Sequence, residues 1–134
     1  MQARSFLAIV AGILVTIVAS ILVDALMHAA GVFPRTGGVL TDRSSMVALS
    51  YRVVITIGAA WLTARLAPNR PMRHAMILGL TGTVLGLIGA MATWSLNLGP
   101  RWYPIALAVL AIPQCWVGAK IHEATTRTPA TKNP

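Results

Sequence analysis

Four long apolar stretches separated by short polar segments make up most of the sequence. They run over 6–23, 47–64, 75–96 and 102–119, and Arg52 is the one charged residue inside them. Each stretch has between 18 and 22 residues, and about 20 apolar residues are needed to cross the hydrocarbon core of a bilayer. The pattern predicts an all-α integral membrane protein. The transmembrane helices are predicted over about 6–30, 45–66, 72–96 and 101–121.

The segments between these stretches contain residues that end and begin helices. Proline and glycine interrupt the apolar pattern in segment 31–45, and glycine followed by proline ends the third stretch within 97–100. A Pro-Asn-Arg-Pro turn over 68–71 places Pro71 in a first helical turn. The N-terminal cap of the second helix is predicted from three polar residues, Asp42, Ser44 and Ser45.

Short connections make an antiparallel arrangement the simplest topology. We therefore predict one antiparallel four-helix transmembrane bundle over 1–122, followed by a disordered polar tail over 123–134 that is rich in threonine and proline. The first stretch follows Arg4 but is longer than the roughly 7–15 apolar residues of a secretory signal. We expect it to remain as an uncleaved helix.

Composition and charge agree with a membrane protein. Hydrophobic residues make up 56% of the chain and charged residues only 10%, compared with about 25% charged residues in a soluble domain. The net charge is +8, but its distribution reflects topology: three cations fall in the segments predicted outside and seven in those predicted inside. These seven are Arg4, Arg65, Arg70, Arg73, Lys120, Arg127 and Lys132. The positive-inside rule then puts both termini in the cytoplasm, and we expect no nucleic-acid partner.

Small residues recur along one face of the third predicted helix. Gly79, Gly82, Gly86 and Gly89 are spaced by three or four residues, which allows close contact with another helix in lipid. This helix-packing face fits either a homodimer or a contact within the bundle, and we favour the contact within the bundle. Possible partners on the first helix are Ala8, Ala11, Gly12, Ala19 and Ser20.

An acidic and a basic residue are predicted inside the membrane, where charged side chains are costly. Asp24 lies seven residues before the outer end of the first helix, and Arg52 lies seven residues after the outer start of the second. His28 is one helical turn outward from Asp24. One hypothesis is a proton or ion relay through Asp24, Arg52 and His28. The other, which we favour, is a structural ion pair, because no ionisable group in the third or fourth helix continues a path across the membrane.

No catalytic or metal constellation is recognisable in the sequence. The single cysteine, Cys115, permits no intramolecular disulfide, and we expect it to act as a small buried hydrophobe. Gln114 follows Pro113, and we expect it to bond the backbone carbonyl that this proline frees. We predict no cofactor and no enzymatic activity.

Several segments resemble a family of small bacterial membrane proteins with four helices. These are LVDALMHAAGVFP, which includes Asp24 and His28, and then PMRHAMILG, IGAMATW, WYPIALAVLAIP and WVGAK. The resemblance covers most of residues 20–120 and implies a location in the bacterial inner membrane. The family has no assigned activity, so the resemblance implies no catalytic residues. Small multidrug exporters share the size and helix count, but their acidic residue lies mid-membrane without an arginine partner.

Two functions remain open from the sequence. The first is a non-enzymatic structural or accessory membrane protein, able to self-associate or to bind an unidentified membrane partner. The alternative is a minimal proton- or ion-coupled transporter that uses Asp24, Arg52 and His28.

Overall fold

A computed structural model describes residues 2–35 and 38–127, and the described chain is helical without any strand. Four α-helices are present in these ranges, and each is long and apolar enough to cross a membrane. They are α1 (Gln2–Ala29), α2 (Asp42–Leu66), α3 (Pro71–Thr93) and α4 (Trp102–Thr126), with a 3-10 turn, Trp94–Leu96, extending α3. The predicted all-helical fold with four candidate membrane spans is confirmed at this level.

With the 3-10 turn counted as part of α3, three helix ends differ from the predicted ones by three residues or more. The first is the start of α1, which lies at Gln2 rather than near residue 6. α4 continues to Thr126, so 123–126 of the predicted tail are helical, while 128–134 lie outside the described residues. α2 begins earlier than predicted because Thr41 is its cap. The Thr41 hydroxyl accepts from the Ser44 N–H at 3.3 Å, and the Ser44 hydroxyl accepts from the Thr41 N–H at 2.9 Å. Ser44 thus takes part in the cap as predicted, within a reciprocal capping box, whereas the N-cap residue is Thr41 rather than Asp42 or Ser45.

Three residues at the ends of helical segments have a left-handed backbone conformation. Gly31, with φ of +73°, ends α1, and Arg70, with φ of +50°, precedes Pro71 at the start of α3. Asn97, with φ of +46°, ends the 3-10 turn. Glycine and asparagine tolerate this region better than most residues, so the predicted stop after α3 falls at Asn97, two residues before Gly99.

Small residues allow the helices to approach closely. The core cluster, with Leu78 as its largest member, consists of Ala60, Ala64, Ala75, Leu78, Cys115 and Ala119. The most extensive contact joins α3 to α4, followed by the contact of α2 with α4 and that of α1 with α2. In lipid such packing depends on backbone proximity rather than on apolar burial.

The glycine face of α3 lies against α4, whereas the sequence suggested α1 as its partner. A Cβ added at Gly79 would come within 3.1 Å of Ile112 Cα, and one at Gly86 within 3.4 Å of Ala108 Cβ. Gly82 similarly faces Ala111, at 3.5 Å. Gly89 differs from these, because a Cβ there would meet nothing within 4 Å. Three of the four glycines therefore form a contact with α4 of the same chain, whereas the fourth, Gly89, has open space beside it.

Candidate functional site

Asp24 is bound through both carboxylate oxygens by two consecutive residues of α2. Arg52 Nη2 donates to Asp24 Oδ2 at 2.7 Å, and the Tyr51 hydroxyl donates to Asp24 Oδ1. The side chains of Arg52 and Asp24 are 31% and 30% exposed within the folded chain. This arrangement joins the last third of α1 to the first half of α2. The carboxylate therefore has a charge partner and a neutral donor, one for each oxygen.

His28 is close to this cluster but is not bonded to the carboxylate. Its Nδ1 lies 2.8 Å from the backbone carbonyl oxygen of Asp24. The imidazole contacts the edge of Phe33, with ring centroids 5.4 Å apart, and Phe33 in turn lies 6.4 Å from the Tyr51 ring. The structure thus brings Asp24 and Arg52 together, as the sequence suggested, and leaves His28 outside their side-chain hydrogen bonds.

These side chains line a cavity of about 190 Å³, which we call the outer cavity. It lies between the end of α1, the start of α2 and the start of α4, below the connection that follows α1. Its polar and charged side chains are Asp24, His28, Arg35, Tyr51, Arg52 and Tyr103. Sequence reasoning missed Tyr103, because a tyrosine beside a tryptophan at a helix end is common at membrane interfaces and carries no further signal. Its approach to Arg52 depends on the packing of α4 against α2.

A hydrogen bond fixes the start of α4 near the start of α2. Trp102 Nε1 donates to Asp42 Oδ1 at 2.8 Å, and the rings of Trp102 and Tyr103 meet edge to face at 6.1 Å. Asp42 was expected to cap its own helix, but its carboxylate instead accepts a hydrogen bond that joins α4 to α2. This bond holds Tyr103 beside the outer cavity.

A second cavity of about 200 Å³ lies near the middle of the helices, and we call it the inner cavity. All four helices contribute to its wall. Its polar lining is Thr16, Ser20, Arg52, Thr56 and Gln114. Arg52 lines both cavities, so this residue is shared by the walls of the outer and the inner cavity.

Gln114 does not have the role expected from its position after Pro113. Its side chain is only 7% exposed, and Nε2 is buried without a hydrogen-bond partner among the described residues. The prediction that Gln114 bonds a backbone carbonyl freed by Pro113 is therefore wrong for this donor. An uncompensated buried amide is costly, which makes Gln114 the most unusual polar group of the inner cavity. Cys115, beside it, is buried in the apolar core.

The other two histidines contact residues that are distant from Asp24 in the sequence. His74 Nδ1 lies 3.1 Å from the Arg70 carbonyl oxygen, and the His122 ring packs against Trp61 at 6.5 Å. In the part of the chain that the structure describes, no group of three or more histidine, cysteine, aspartate or glutamate residues could hold a metal ion.

Comparison with known proteins adds no relative: no family model, no curated protein and no solved structure matches this chain. The resemblance to small four-helix bacterial membrane proteins therefore stays a prediction.

Proposed function

We propose that this chain is a non-enzymatic structural or accessory protein of the bacterial inner membrane, in which the Asp24 cluster fixes the relative position of α1 and α2. The observation that carries this proposal is the occupation of both Asp24 carboxylate oxygens by Tyr51 and Arg52. A carboxylate that exchanges protons or ions during transport has to break its bonds to protein donors in each cycle, and this costs more when two donors hold it. In this cluster each oxygen already accepts a hydrogen bond from α2.

Membrane insertion is supported by the apolar surface of the helices and by the residues at their ends. Large side chains such as Leu26, Val54 and Met91 are more than half exposed within the chain, where lipid would cover them. Three tryptophans pack against cations: Trp61 with Arg65, Trp94 with Arg101, and Trp116 with Lys120. Such pairs suit the headgroup region of a bilayer.

An antiparallel bundle with both termini in the cytoplasm is the topology we propose. Near its start, α1 places Gly12 against Thr63 in the last turns of α2, and near its end it places Asp24 against Arg52. Contacts in this order support an arrangement in which the two helices run in opposite directions. The positive-inside rule then gives the cytoplasmic termini.

The structural role of the cluster follows from the cost of charge in an apolar medium. An isolated aspartate at the centre of a membrane helix costs several kcal/mol. Pairing with Arg52 offsets that cost only when α1 and α2 are correctly aligned along their axes, since a shift by one helical turn separates the groups by about 5.4 Å. The pair therefore favours one alignment of the two helices over others.

Self-association is part of the proposal, and Gly89 supports it. A Cβ at this position meets nothing within 4 Å, and Leu85, one helical turn earlier on the same face, is 56% exposed. Another helix could approach the backbone here as closely as α4 approaches Gly86. The occupant we propose is α3 of a second copy of the chain.

Reconstitution into proteoliposomes tests the proposed function. We expect no flux above that of protein-free vesicles under an imposed proton, sodium or potassium gradient, together with a dimer on crosslinking in native membranes. Flux that disappears in Asp24→Asn, while the variant stays folded, would contradict the structural role.

A proton- or ion-coupled carrier is the second candidate, and one observation favours it. Arg52 lines both cavities, so movement of this single side chain would join the outer cavity to the middle of the helices. His28 is not bonded to the carboxylate, so the relay through Asp24 and His28 has no direct side-chain link. A carrier would require Arg52 to leave Asp24 during its cycle, and the same flux assay decides between the two candidates.

A further inference from the structure

We propose that the inner cavity is a binding site for a small organic carboxylate, held by Gln114 and Arg52. This site goes beyond the structural role of the Asp24 cluster, since its recognition groups include residues of α2 and α4 that have no part in binding Asp24. Gln114 and Thr56 provide the means to test it separately.

Hydrogen-bond donors without partners define the chemistry of the site. Gln114 Nε2 and Arg52 Nε are both buried and have no hydrogen-bond partner among the described residues, and both residues line the inner cavity. A guanidinium has five N–H donors, and Arg52 uses Nη2 for Asp24. Arg52 Nε and Gln114 Nε2 therefore lack an acceptor, and a carboxylate supplies two oxygens that each accept more than one hydrogen bond.

Arg52 places a positively charged group on the wall of the inner cavity, which favours an anion over a cation. Among the residues that the structure describes, no aspartate or glutamate lines the inner cavity, and Arg52 is the one charged residue in its lining. The nearest acidic partner, Asp24, lines the outer cavity, and Tyr51 and Arg52 engage both of its oxygens. A bound carboxylate would therefore lie near a cation without a competing negative charge in the same cavity.

The size and apolar wall of the cavity favour an organic anion over a halide. Its volume is about 200 Å³, and a cavity of about 150 Å³ accommodates benzene. Leu78, Leu107 and Ala111 contribute apolar surface beside the polar groups. A ligand with a short hydrocarbon body and one carboxylate, about six to eight non-hydrogen atoms in all, matches both parts of the lining.

Hydroxyl groups complete the site on the side of α1 and α2. Ser20 and Thr56 line the cavity, and the Thr16 hydroxyl donates to its own helix at the Gly12 carbonyl, at 2.8 Å. Hydroxyls both donate and accept, so they can bond a ligand oxygen without adding charge. The donors thus lie on several helices around one volume, which is the arrangement that orients a small ligand.

Thermal unfolding of the purified full chain in detergent, followed during titration with sodium butyrate, tests the site. Sodium chloride replaces butyrate at constant ionic strength, and butyramide serves as the neutral analogue. Because a ligand that binds only the folded state raises the unfolding temperature, we expect a saturable rise with butyrate. Chloride should give none, and butyramide a much weaker one.

Substitutions in the cavity then test whether the stabilisation by butyrate depends on the residues proposed to bind it. Gln114→Leu should weaken butyrate binding about tenfold, as expected for loss of a hydrogen bond to a charged group. Thr56→Val should weaken it several-fold and provides a second variant if Gln114→Leu does not fold. Thr81→Val is the matched control, because the Thr81 hydroxyl donates to the Ile77 carbonyl and does not line the cavity.

Three results would overturn the proposal. One is the absence of any saturable effect of butyrate beyond that of chloride on the wild-type chain. Another is equal stabilisation by butyramide, which would show that charge is not recognised. The third is unchanged butyrate affinity in both Gln114→Leu and Thr56→Val. None of these results depends on the flux assay or on dimer formation.

Discussion

Gly118 of α4 packs so closely against Ala60 of α2 that a methyl group at position 118 would lie 2.8 Å from Ala60 Cβ. The backbone of α2 is equally near, since Trp61 N would lie 2.9 Å from the added carbon. A backbone cannot withdraw as a flexible side chain can. Gly118 is therefore the position at which the contact between these two helices depends most on the absence of a side chain.

Gly118→Ala should lower the free energy of unfolding by about 1–3 kcal/mol, because an overpacked core must shift its backbone. Gly58→Ala is the matched control, since a Cβ at Gly58 meets nothing within 4 Å and alanine favours helix by about 1 kcal/mol. Denaturant unfolding in detergent compares the two variants. Equal stability of both would contradict the close contact of α4 with α2.

Leucine substitutions along α3 should separate folding from self-association. Gly86→Leu should destabilise the monomer, because its side chain would collide with Ala108 of α4. Gly89→Leu should leave the unfolding temperature nearly unchanged and should reduce the dimer seen on crosslinking. Loss of dimer in Gly86→Leu with an unaltered monomer would instead show that the Gly86 contact is between chains.

The capping box at the start of α2 should contribute to stability. Thr41→Ala removes the hydroxyl that accepts the Ser44 N–H, and we expect a loss of about 1 kcal/mol in unfolding free energy. Ser50→Ala serves as the control, because the Ser50 hydroxyl only donates to the Met46 carbonyl within the same helix. A larger loss in the control than in Thr41→Ala would argue against the cap.

The proposed topology predicts which connections are accessible from each side of the membrane. In a Cys115→Ser background, Val39→Cys should react with a membrane-impermeant maleimide in intact bacterial cells. Asn69→Cys, in the connection between α2 and α3, should react only after the membrane is permeabilised. Both positions are exposed, so burial cannot explain a difference. The reverse pattern would show that the termini lie outside.

Much of the fold could be predicted from the sequence because the signals are local. A run of about 20 apolar residues indicates a span without reference to any other part of the chain, and glycine and proline mark the ends of helices. The cap of α2 was misassigned because the choice among Thr41, Asp42 and Ser44 depends on where the first turn starts. A run of several polar residues does not determine which of them is the N-cap.

The candidate site could be predicted only in part. Asp24 and Arg52 stand out because charge is rare in an apolar stretch, and their equal distance from the outer helix ends suggested a contact. Tyr103 and Gln114 carry no comparable signal, since tyrosine and glutamine occur in many membrane helices for other reasons. Their roles depend on the way α4 packs against α2 and α3, and periodicity alone cannot assign a small-residue face to its partner helix.

A thermodynamic cycle on the Asp24 and Arg52 pair tests the central claim most directly. Asp24→Asn, Arg52→Gln and the double variant would be unfolded in detergent, and their free energies of unfolding compared with that of the wild-type chain. Each single change should cost about 1–3 kcal/mol, less than the roughly 3–5 kcal/mol of a fully buried pair, because both side chains are about 30% exposed. The double variant should recover much of that loss, since neither charge is then left unpaired. Single effects that simply add, or that are absent, would contradict a structural ion pair between α1 and α2.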